Sequence, residues 1–246
     1  MDLGISGRRA AVAGASRGLG FGVAEALAAE GVEVAICGRD PDALAAAAEQ
    51  IGAHPVVADV STAAGAIAFV RDASAALGGP PDILVPNAGG PPPGDFAHTT
   101  VDQHLDAFEL SCRSAIAMCH EAVPTMQAQG WGRVVAITSI AVRQPIPHLI
   151  LSNTARAGLT GFLRTLAREV AADGVTVNSL LPGLHATERL RALGVDGPDA
   201  AAGIPAGRLG RAAEFGAVAA FLCSDAAAYV TGVALQVDGG AYGALL

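Results

Sequence analysis

The sequence predicts an α/β fold: a doubly wound, seven-stranded parallel sheet in a single domain over residues 1–246. Short apolar runs alternate with longer, Ala-rich segments of helical spacing along the whole chain. Strands separated by helices of this length imply right-handed crossovers and a parallel sheet covered on both faces. A glycine-rich stretch over residues 14–20 lies between the first apolar run and the first helix, where a strand of such a sheet turns into its helix.

Each predicted strand is a short apolar run, and each predicted helix is bounded by residues that start or stop helices. The strands cover residues 10–13, 32–36, 54–58, 83–85, 133–138, 175–180 and 233–237. The helices cover residues 21–30, 41–51, 62–77, 100–129, 152–172 and 211–223. Pro41 suits the first turn of its helix, and Pro80-Pro81 end the helix before the fourth strand. Because no internal repeat or low-complexity linker divides the chain, one domain accounts for it.

Composition excludes several classes of protein. Hydrophobic residues make up 52% of the chain, yet no apolar run approaches the ~18 residues of a membrane span. The segment after Met1 lacks a basic stretch followed by an apolar one, so we expect a cytoplasmic protein. A net charge of −8 argues against nucleic acid or an anionic membrane as the main partner. The four cysteines lack metal-ligand spacing, which predicts reduced, buried thiols and no metal site.

The stretch Gly14-Ala15-Ser16-Arg17-Gly18-Leu19-Gly20 is the strongest local signal. A strand that ends in a glycine turn and restarts as a helix leaves N–H groups unpaired at the positive end of the helix dipole, which suits a pyrophosphate. Gly14 would allow the tight turn, Gly18 the approach of a phosphate, and Gly20 close packing of helix on sheet. With 31 glycines in 246 residues, an ordinary glycine-rich turn is the alternative.

Arginines near the second strand bear on which dinucleotide would bind. An acid about 20 residues past the glycines would bind a ribose 2′-hydroxyl, whereas a guanidinium would pair with a 2′-phosphate. Gly38 stands where the acid is expected, and Arg39 and Arg17 favour NADP(H). Alternatively, both arginines are solvated and Asp40 binds the ribose. Asp59, which precedes Val60 after the third strand, is either an adenine-binding or a turn-forming residue.

The motifs along the chain resemble those of the short-chain dehydrogenase/reductase family, in particular its 3-oxoacyl-carrier-protein reductase-like branch, which has a Rossmann fold. The matching motifs are the glycine stretch, Asn87-Ala88-Gly89, Thr138-Ser139, Leu181-Pro182-Gly183, Thr231-Gly232 and Val237-Asp238-Gly239-Gly240. The resemblance spans the whole chain in the family's order, and it implies a carbonyl or alcohol substrate. Together with the arginines, it predicts a cofactor site of Gly14, Ser16, Arg17, Gly18, Leu19, Gly20, Arg39, Asp59, Val60, Asn87, Ala88, Gly89, Arg156, Pro182, Gly183 and Thr187.

The catalytic residues depart from the family pattern of Asn, Ser, Tyr and Lys. Ser139 matches the family serine. Thirteen residues later, where the Tyr would stand, is Ser152, and Arg156 replaces the Lys four residues beyond. Counting back from Pro124, the Asn position holds Ser111. The resemblance therefore predicts a non-standard active site.

A different proton donor is then needed. A phenol can be brought toward neutral pKa by a nearby cation, but a serine hydroxyl is a poor general acid at pH 7. Arg156 stays charged, although its planar fork can still hold ribose hydroxyls or a carboxylate. Of the two tyrosines, Tyr229 is predicted to pack beside the last helix, and Tyr242 also lies near the C-terminus. His148 is the main substitute acid or base and His185 the second, with an exposed loop histidine as the alternative for His148.

Two functions remain open at this point. The first is an NADP(H)-dependent oxidoreductase in which Ser139 polarises the carbonyl and the proton comes from His148, water or Ser152. The second is a dinucleotide-binding protein with non-redox chemistry or a sensor or interaction role. Residues 184–204 are predicted to form a mobile substrate lid. Arg143, before the lid, and Arg189 and Arg191, within it, either meet an acidic substrate or are solvated. Apolar helix surfaces and an apolar C-terminus predict a homo-oligomer, a dimer or tetramer.

Overall fold

The computed structural model describes residues 2–192, 194–195 and 199–245, and in these it shows a sheet of seven parallel strands. The strands are β1 (Arg9–Val12), β2 (Glu33–Gly38), β3 (His54–Val57), β4 (Ile83–Val85), β5 (Gly132–Ile137), β6 (Val175–Pro182) and β7 (Ala234–Val237). Their spatial order is β3-β2-β1-β4-β5-β6-β7. The order reverses between β1 and β4, and the carboxyl ends of the strands at that point form the crevice in which such sheets bind ligands.

Helices cover both faces of the sheet, as predicted. They are α1 (Gly18–Ala29), α2 (Pro41–Ile51), α3 (Ala63–Ala76), α4 (Val101–Phe108), α5 (Ser114–Gln129), α6 (Ile150–Val170), α7 (Glu188–Ala192) and α8 (Ala212–Cys223). One core cluster contains Phe69 of α3, Met118 of α5 and Leu163 of α6. A second, on the opposite face, contains Leu27 of α1 and Phe215 of α8. Within the described residues, no helix combines the length and the apolar character needed to cross a bilayer.

The predicted helix over residues 100–129 is not regular. A π-helical turn, Glu109–Arg113, joins α4 to α5 and contains the buried Ser111. A π turn inserts a residue into the helical repeat, so it rotates the following face relative to the preceding one, and such turns often occur at functional sites. Helix α1 also begins at Gly18, three residues earlier than predicted, so the end of the glycine stretch forms its first turn.

Helices α1 and α8 touch through their backbones. A Cβ on Gly22 would lie 2.5 Å from the carbonyl oxygen of Ala212, and a Cβ on Gly216 would lie 2.0 Å from the carbonyl oxygen of Gly22. Only glycine permits this approach. The helix that follows the glycine stretch is therefore packed directly on the helix that follows residues 184–204.

The prediction for the cysteines is confirmed, and the prediction for Tyr229 is wrong. All four cysteines are free and buried, as predicted, and burial raises the pKa of Cys119 to about 12. The packing role predicted for Tyr229 is wrong, because its side chain is fully exposed. Tyr229 lies between the short turn that ends α8 and the strand β7, and its chain neighbour Val230 packs on the core instead.

Candidate active site

The glycine stretch is a tight turn held in place by Asn87. Gly14 has φ of 56° and Gly18 has φ of 65°, conformations that residues with a Cβ rarely adopt. The Asn87 side-chain amide, at the end of β4, donates to the carbonyl oxygens of Ala13 at 3.1 Å and Gly14 at 3.0 Å. A Cβ on Gly20 would lie 2.4 Å from the Gly14 oxygen. The backbone therefore determines the shape of the turn, and glycine is required at these positions.

The turn leaves room for a pyrophosphate. The N-cap residue of α1, Arg17, makes no side-chain hydrogen bond to the helix N–H groups, which remain available at the positive end of the helix. A Cβ on Gly18 would find its nearest neighbour, the Thr187 side chain, 3.9 Å away, and a Cβ on Gly89 would meet nothing within 4 Å. These open positions around a row of N–H donors fit the phosphates and ribose of a dinucleotide.

Asp40 and Arg17, two residues considered for the ribose site, each have a partner within the protein. The Asp40 carboxylate caps α2 by accepting from the N–H groups of Asp42 at 3.1 Å and Ala43 at 3.2 Å. This carboxylate is engaged by the helix, which disfavours Asp40 as the ribose-binding acid. Arg17 pairs through Nη1 with Glu188 Oε2 of α7 at 2.6 Å. A residue of the predicted lid therefore contacts the glycine turn.

Asp59 has the properties of a turn-forming residue. Its Oδ1 accepts from the N–H of Ser61 at 3.0 Å. Hydrogen bonds from Ser61, and to a smaller extent the nearby Arg39, lower the pKa of Asp59. Its neighbour Val60 is buried. The adenine contact predicted for Asp59 remains a prediction.

Ser139 and the Arg156 guanidinium lie at the carboxyl end of β5. Ser139 Oγ accepts from the N–H of Ala141 at 3.1 Å and so begins a short 3₁₀ turn. Arg156 reaches from α6 to the strand end, where its Nη1 donates to the carbonyl oxygens of Ile137, at 3.3 Å, and Thr138. The buried Ser152 lies four residues before Arg156, on the same face of the helix. The structure thus places two of the four predicted catalytic residues, Ser139 and Arg156, at this end of the strand, with Ser152 one helical turn before Arg156.

Arg156 lines a small cavity together with both polar and apolar side chains. Its volume is about 10 Å³, on the scale of one water molecule, and Asn87, Ser111 and Arg156 are among its lining residues. Within the described chain, the buried atoms Arg156 Nε and Ser111 Oγ have no hydrogen-bond partner. Burial, followed by the nearby Arg189, lowers the pKa of Arg156 to about 10, so the guanidinium stays cationic at neutral pH.

His148 lies in a different hollow. It adopts φ of 60°, and its exposed ring places Nδ1 3.7 Å from Asp95 Oδ2. Asp95 is already paired with His98 Nδ1 at 2.6 Å. The hollow is lined by Asp95, Phe96, Pro145, Ile146, Pro147, His148, Ile150 and Asn153. None of the other predicted catalytic residues lines it, so the role of His148 as an acid remains a prediction.

His185 packs in the core. It is 5% exposed, its Nδ1 lies 3.2 Å from the carbonyl oxygen of Gly183, and its ring contacts Phe215 edge-on at a centroid distance of 5.3 Å. Burial lowers the pKa of His185. These contacts give the second candidate histidine a packing role.

The predicted lid is tied down at several points. The N–H of Ala186 donates to the carbonyl oxygen of Gly210 at 2.9 Å, and Leu190 of α7 is buried. Arg189 Nη2 donates to the carbonyl oxygen of Pro91 at 2.8 Å, across from α7 to the loop after β4. Residues 193 and 196–198 lie outside the described part of the chain, and the mobile lid over residues 184–204 stays a prediction. Glu188 could not be identified from the sequence, because its partner Arg17 is 171 residues away and no local pattern connects them.

A doubly wound parallel sheet, with a glycine turn after β1, an asparagine after β4 and a serine after β5, defines a dinucleotide-binding α/β oxidoreductase. The family model described as Enoyl-(Acyl carrier protein) reductase matches residues 14–242. The chain belongs to the short-chain dehydrogenase/reductase family, as the motifs predicted.

Relatives match over the full length of the chain. The 3-oxoacyl-[acyl-carrier-protein] reductase FabG of Escherichia coli (strain K12) is 36% identical over 243 residues, which cover 98% of this chain and 99% of the relative. The structure of L-sorbose reductase from Gluconobacter frateurii, complexed with NADPH and L-sorbose, superposes with a TM-score of 0.91 at 32% identity and covers 100% of both chains. An NADPH-bound short-chain oxidoreductase from Pseudomonas aeruginosa PAO1, which contains an atypical catalytic centre, superposes with a TM-score of 0.89 at 32% identity over 98% of this chain and 99% of that one.

Proposed function

We propose that the protein is an NADP(H)-dependent oxidoreductase that reduces a carbonyl, or oxidises the corresponding alcohol, at a non-standard catalytic site. The observation that carries this proposal is the position of Arg156, whose guanidinium donates to the carbonyl oxygens of Ile137, the last residue of β5, and Thr138, the residue before Ser139. The carboxyl end of β5 is therefore held by side-chain contacts, as the glycine turn is held by Asn87. A protein that only binds the adenosine half of a dinucleotide has no need of it.

The cofactor assignment depends on charge. NADP(H) would supply or accept the hydride. The unpaired N–H groups of α1 suit its pyrophosphate, and Arg17 and Arg39 can neutralise a 2′-phosphate that NADH lacks. Asp40, the acid that would instead favour NADH, caps α2. The NADPH found in related structures agrees with this assignment.

Ser139 is well placed to orient a carbonyl oxygen. Its Oγ accepts a hydrogen bond from the N–H of Ala141, which fixes the side chain and leaves its single hydrogen free to donate. A hydroxyl held in this way stabilises negative charge that develops on the substrate oxygen. The cationic Arg156 nearby favours the same charge, because the pocket around it is desolvated.

Proton delivery is assigned to water. Ser152 is too weak an acid at pH 7, and Arg156 keeps its proton. Ser111 Oγ and Arg156 Nε are buried and lack protein partners among the described residues, and both residues line a cavity of about 10 Å³. A water there would satisfy both groups and could exchange protons with the pocket. His148, in its separate hollow with Asp95, is the competing donor.

Two measurements test the proposal. Fluorescence titration should show NADPH binding at least about tenfold tighter than NADH, since each charge-assisted bond to the 2′-phosphate contributes roughly 1.5–3 kcal/mol. In a panel of ketones, 3-oxoacyl thioesters and sugars, Ser139→Ala should reduce turnover about 10²–10³-fold and leave NADPH affinity nearly unchanged. Ser152→Ala is the control and should cost far less. If NADPH binds but no panel member reacts with either nicotinamide, the non-redox, dinucleotide-binding function replaces this one.

We also propose that the protein is a homo-oligomer. Val101, Leu105 and Phe108 form a stripe along α4 at helical spacing, with exposed fractions of 85%, 66% and 42%. Apolar side chains exposed together in this way usually mark a subunit contact. Light scattering at micromolar concentration should give a dimeric or tetrameric mass, and Leu105→Glu should lower it. A monomeric mass for the unaltered chain would refute the proposal.

A further inference from the structure

We propose that Glu109 is a positioning residue, which holds the π turn so that Ser111 lines the cavity it shares with Arg156. The inference rests on the proposed oxidoreductase function, in which a water in this cavity delivers the proton. Within the described part of the chain, the residues that line the cavity do not include Glu109. Its effect on the reaction would therefore come through Ser111.

The cavity depends on the π turn. Glu109–Arg113 joins α4 to α5, and the buried Ser111 is its middle residue. The N–H of Ser114 donates to the carbonyl oxygen of Glu109, five residues back, which is the bond that defines a π turn. Leu110, Ser111 and Ser114 all line the cavity. Because a regular α-helix lacks the extra residue, it would present a different face to the cavity.

The Glu109 side chain connects this turn to another helix. Its Oε1 accepts from the N–H of Ala63, the first residue of α3, at 2.8 Å. Its Oε2 accepts from Nη1 of Arg113, the last residue of the turn, at 2.7 Å. The Ala63 N–H, and after it Arg113, lower the pKa of Glu109, so the carboxylate is ionised at neutral pH. One side chain thus spans the turn and binds it to the positive end of α3.

Of these two contacts, the one with Ala63 constrains the turn more. The Arg113 side chain is 63% exposed, and an exposed ion pair between flexible side chains holds a geometry only weakly. The N–H of Ala63 belongs instead to the backbone of a helix that packs along α5. This bond fixes the first residue of the turn relative to α3, and with it the orientation of Ser111 two residues later.

A role confined to capping α3 is the alternative for Glu109. That helix has a local cap, because the Thr62 hydroxyl accepts from the N–H of Gly65 at 3.1 Å. Glu109 reaches α3 from 46 residues away, and it also binds the far end of its own turn. The contact with Arg113 has no part in capping α3, so the arrangement favours a role in holding the turn.

Crystal structures of the full chain test the position of Ser111 without any need for turnover. In Glu109→Ala the turn should shift and Ser111 Oγ should leave the cavity, whereas Glu109→Gln keeps an acceptor for Ala63 and should keep the turn. Glu121→Ala is the control: Glu121 of α5 also binds α3, through Arg71 at 2.9 and 3.1 Å, and is 27% exposed against 25% for Glu109. Should Glu109→Ala not fold, Glu109→Asp, with a side chain too short for the same span, replaces it. An unmoved Ser111 in the variant that folds overturns the proposal.

Kinetics then test whether this position matters for the reaction. With a substrate from the panel, Glu109→Ala should lower kcat about 10–100-fold and leave KM and NADPH affinity within about twofold. Glu121→Ala should change none of the three. Ser111→Ala should cause a similar loss of kcat, and adding Glu109→Ala to it should cause no further loss. Losses that multiply would mean that Glu109 acts by another route and would overturn the proposal. If the unaltered chain turns over no carbonyl, the proposed function fails, while the crystal structures still decide whether Glu109 positions Ser111.

Discussion

The glycine turn and the Ser139 edge lie at the same end of one sheet, but they are held in different ways. The turn is shaped by backbone: positive φ at Gly14 and Gly18, and an Asn87 amide on two carbonyl oxygens. The edge is shaped by side chains, chiefly the Arg156 guanidinium on the end of β5. Backbone geometry tolerates almost no change of residue type, whereas a position defined by a side chain accepts any group that reaches the same atoms. This explains why the glycine turn matches the family motif, whereas Ser152 and Arg156 replace the family's Tyr and Lys.

The largest effect should come from adding one methyl group to the backbone-defined region. In Gly20→Ala the new Cβ would lie 2.4 Å from the Gly14 oxygen, so the turn must move. We expect NADPH affinity to fall about 100-fold or more and stability to fall by about 2 kcal/mol or more. Gly161→Ala is the control, because its Cβ meets nothing within 4 Å and a helical alanine should stabilise α6 by about 0.5–1 kcal/mol. Equal NADPH affinity in the two variants would contradict the difference between the regions.

Removal of the Arg156 side chain, which shapes the end of β5, should have a smaller effect on NADPH affinity. If Arg156 holds the nicotinamide ribose, Arg156→Ala should weaken NADPH binding by about 1–3 kcal/mol, as measured by titration. Arg164→Ala is matched to it, since Arg164 lies on the same helix and also donates to a backbone carbonyl, that of Gly232. We expect Arg164→Ala to change stability but not NADPH affinity. Identical NADPH affinities for both variants would mean that Arg156 has no part in the cofactor site.

Protonation of His185, in the segment after β6, should lower the stability of the folded protein at acid pH. Burial lowers the pKa of His185 in the folded state below its ordinary value of 6.5. The unfolded chain then binds this proton more tightly, so stability is complete above about pH 6.5 and falls as the pH drops toward the folded-state pKa. The slope contributed by one such proton is at most about 1.4 kcal/mol per pH unit. Denaturant unfolding at pH 7.5 and 5.5 should show a smaller difference for His185→Gln than for His54→Gln, which alters an exposed histidine of β3.

The smallest effect concerns the contact between α7 and the glycine turn. Glu188 of α7 holds Arg17 at 2.6 Å in an exposed ion pair, and a 2′-phosphate would compete for the same guanidinium. Exposed pairs contribute about 0–1 kcal/mol, so Glu188→Gln should tighten NADPH binding by at most about fivefold. NADH, which lacks the 2′-phosphate, is the internal control and should bind equally well to both forms. Weaker NADPH binding in Glu188→Gln would show that the pair orders Arg17 instead of competing for it.

Much of the fold follows from local patterns. The helix over Pro41–Ile51 and the strand over Ile83–Val85 have the bounds predicted for them, because proline and a compact apolar run mark their ends. The π turn at Glu109–Arg113 was missed, since one extra residue in a long amphipathic helix leaves no sharp signal in the sequence. Helix α7 was also missed, because its five residues are too few to show a helical period.

In the candidate site, too, one part could be predicted from the sequence and another could not. The glycine turn could be predicted because only one residue type satisfies its geometry. The contact of Arg156 with the Thr138 oxygen, and that of Arg189 with the Pro91 oxygen, join residues far apart in the chain. Long, flexible side chains reach many acceptors, so their partners are decided by packing and not by spacing in the sequence. For this reason the sequence identified Arg156 as a replacement but could not show what it binds.

The backbone contact between α1 and α8 has a consequence for how this fold could acquire new substrates. Gly22 and Gly216 let α1 and α8 pack backbone against backbone, and the segment between Gly183 and Gly210 leads from β6 into α8. Its first residue is bonded to β7, through the Gly183 N–H and the Val237 oxygen, and its two ends are bonded to each other through Gly210. A loop anchored in this way can be lengthened, shortened or exchanged while its attachment points keep their positions. If it forms the predicted substrate lid, grafting it from a relative with another substrate should therefore change specificity, and keeping Thr187 and Glu188 should preserve its contacts with the glycine turn.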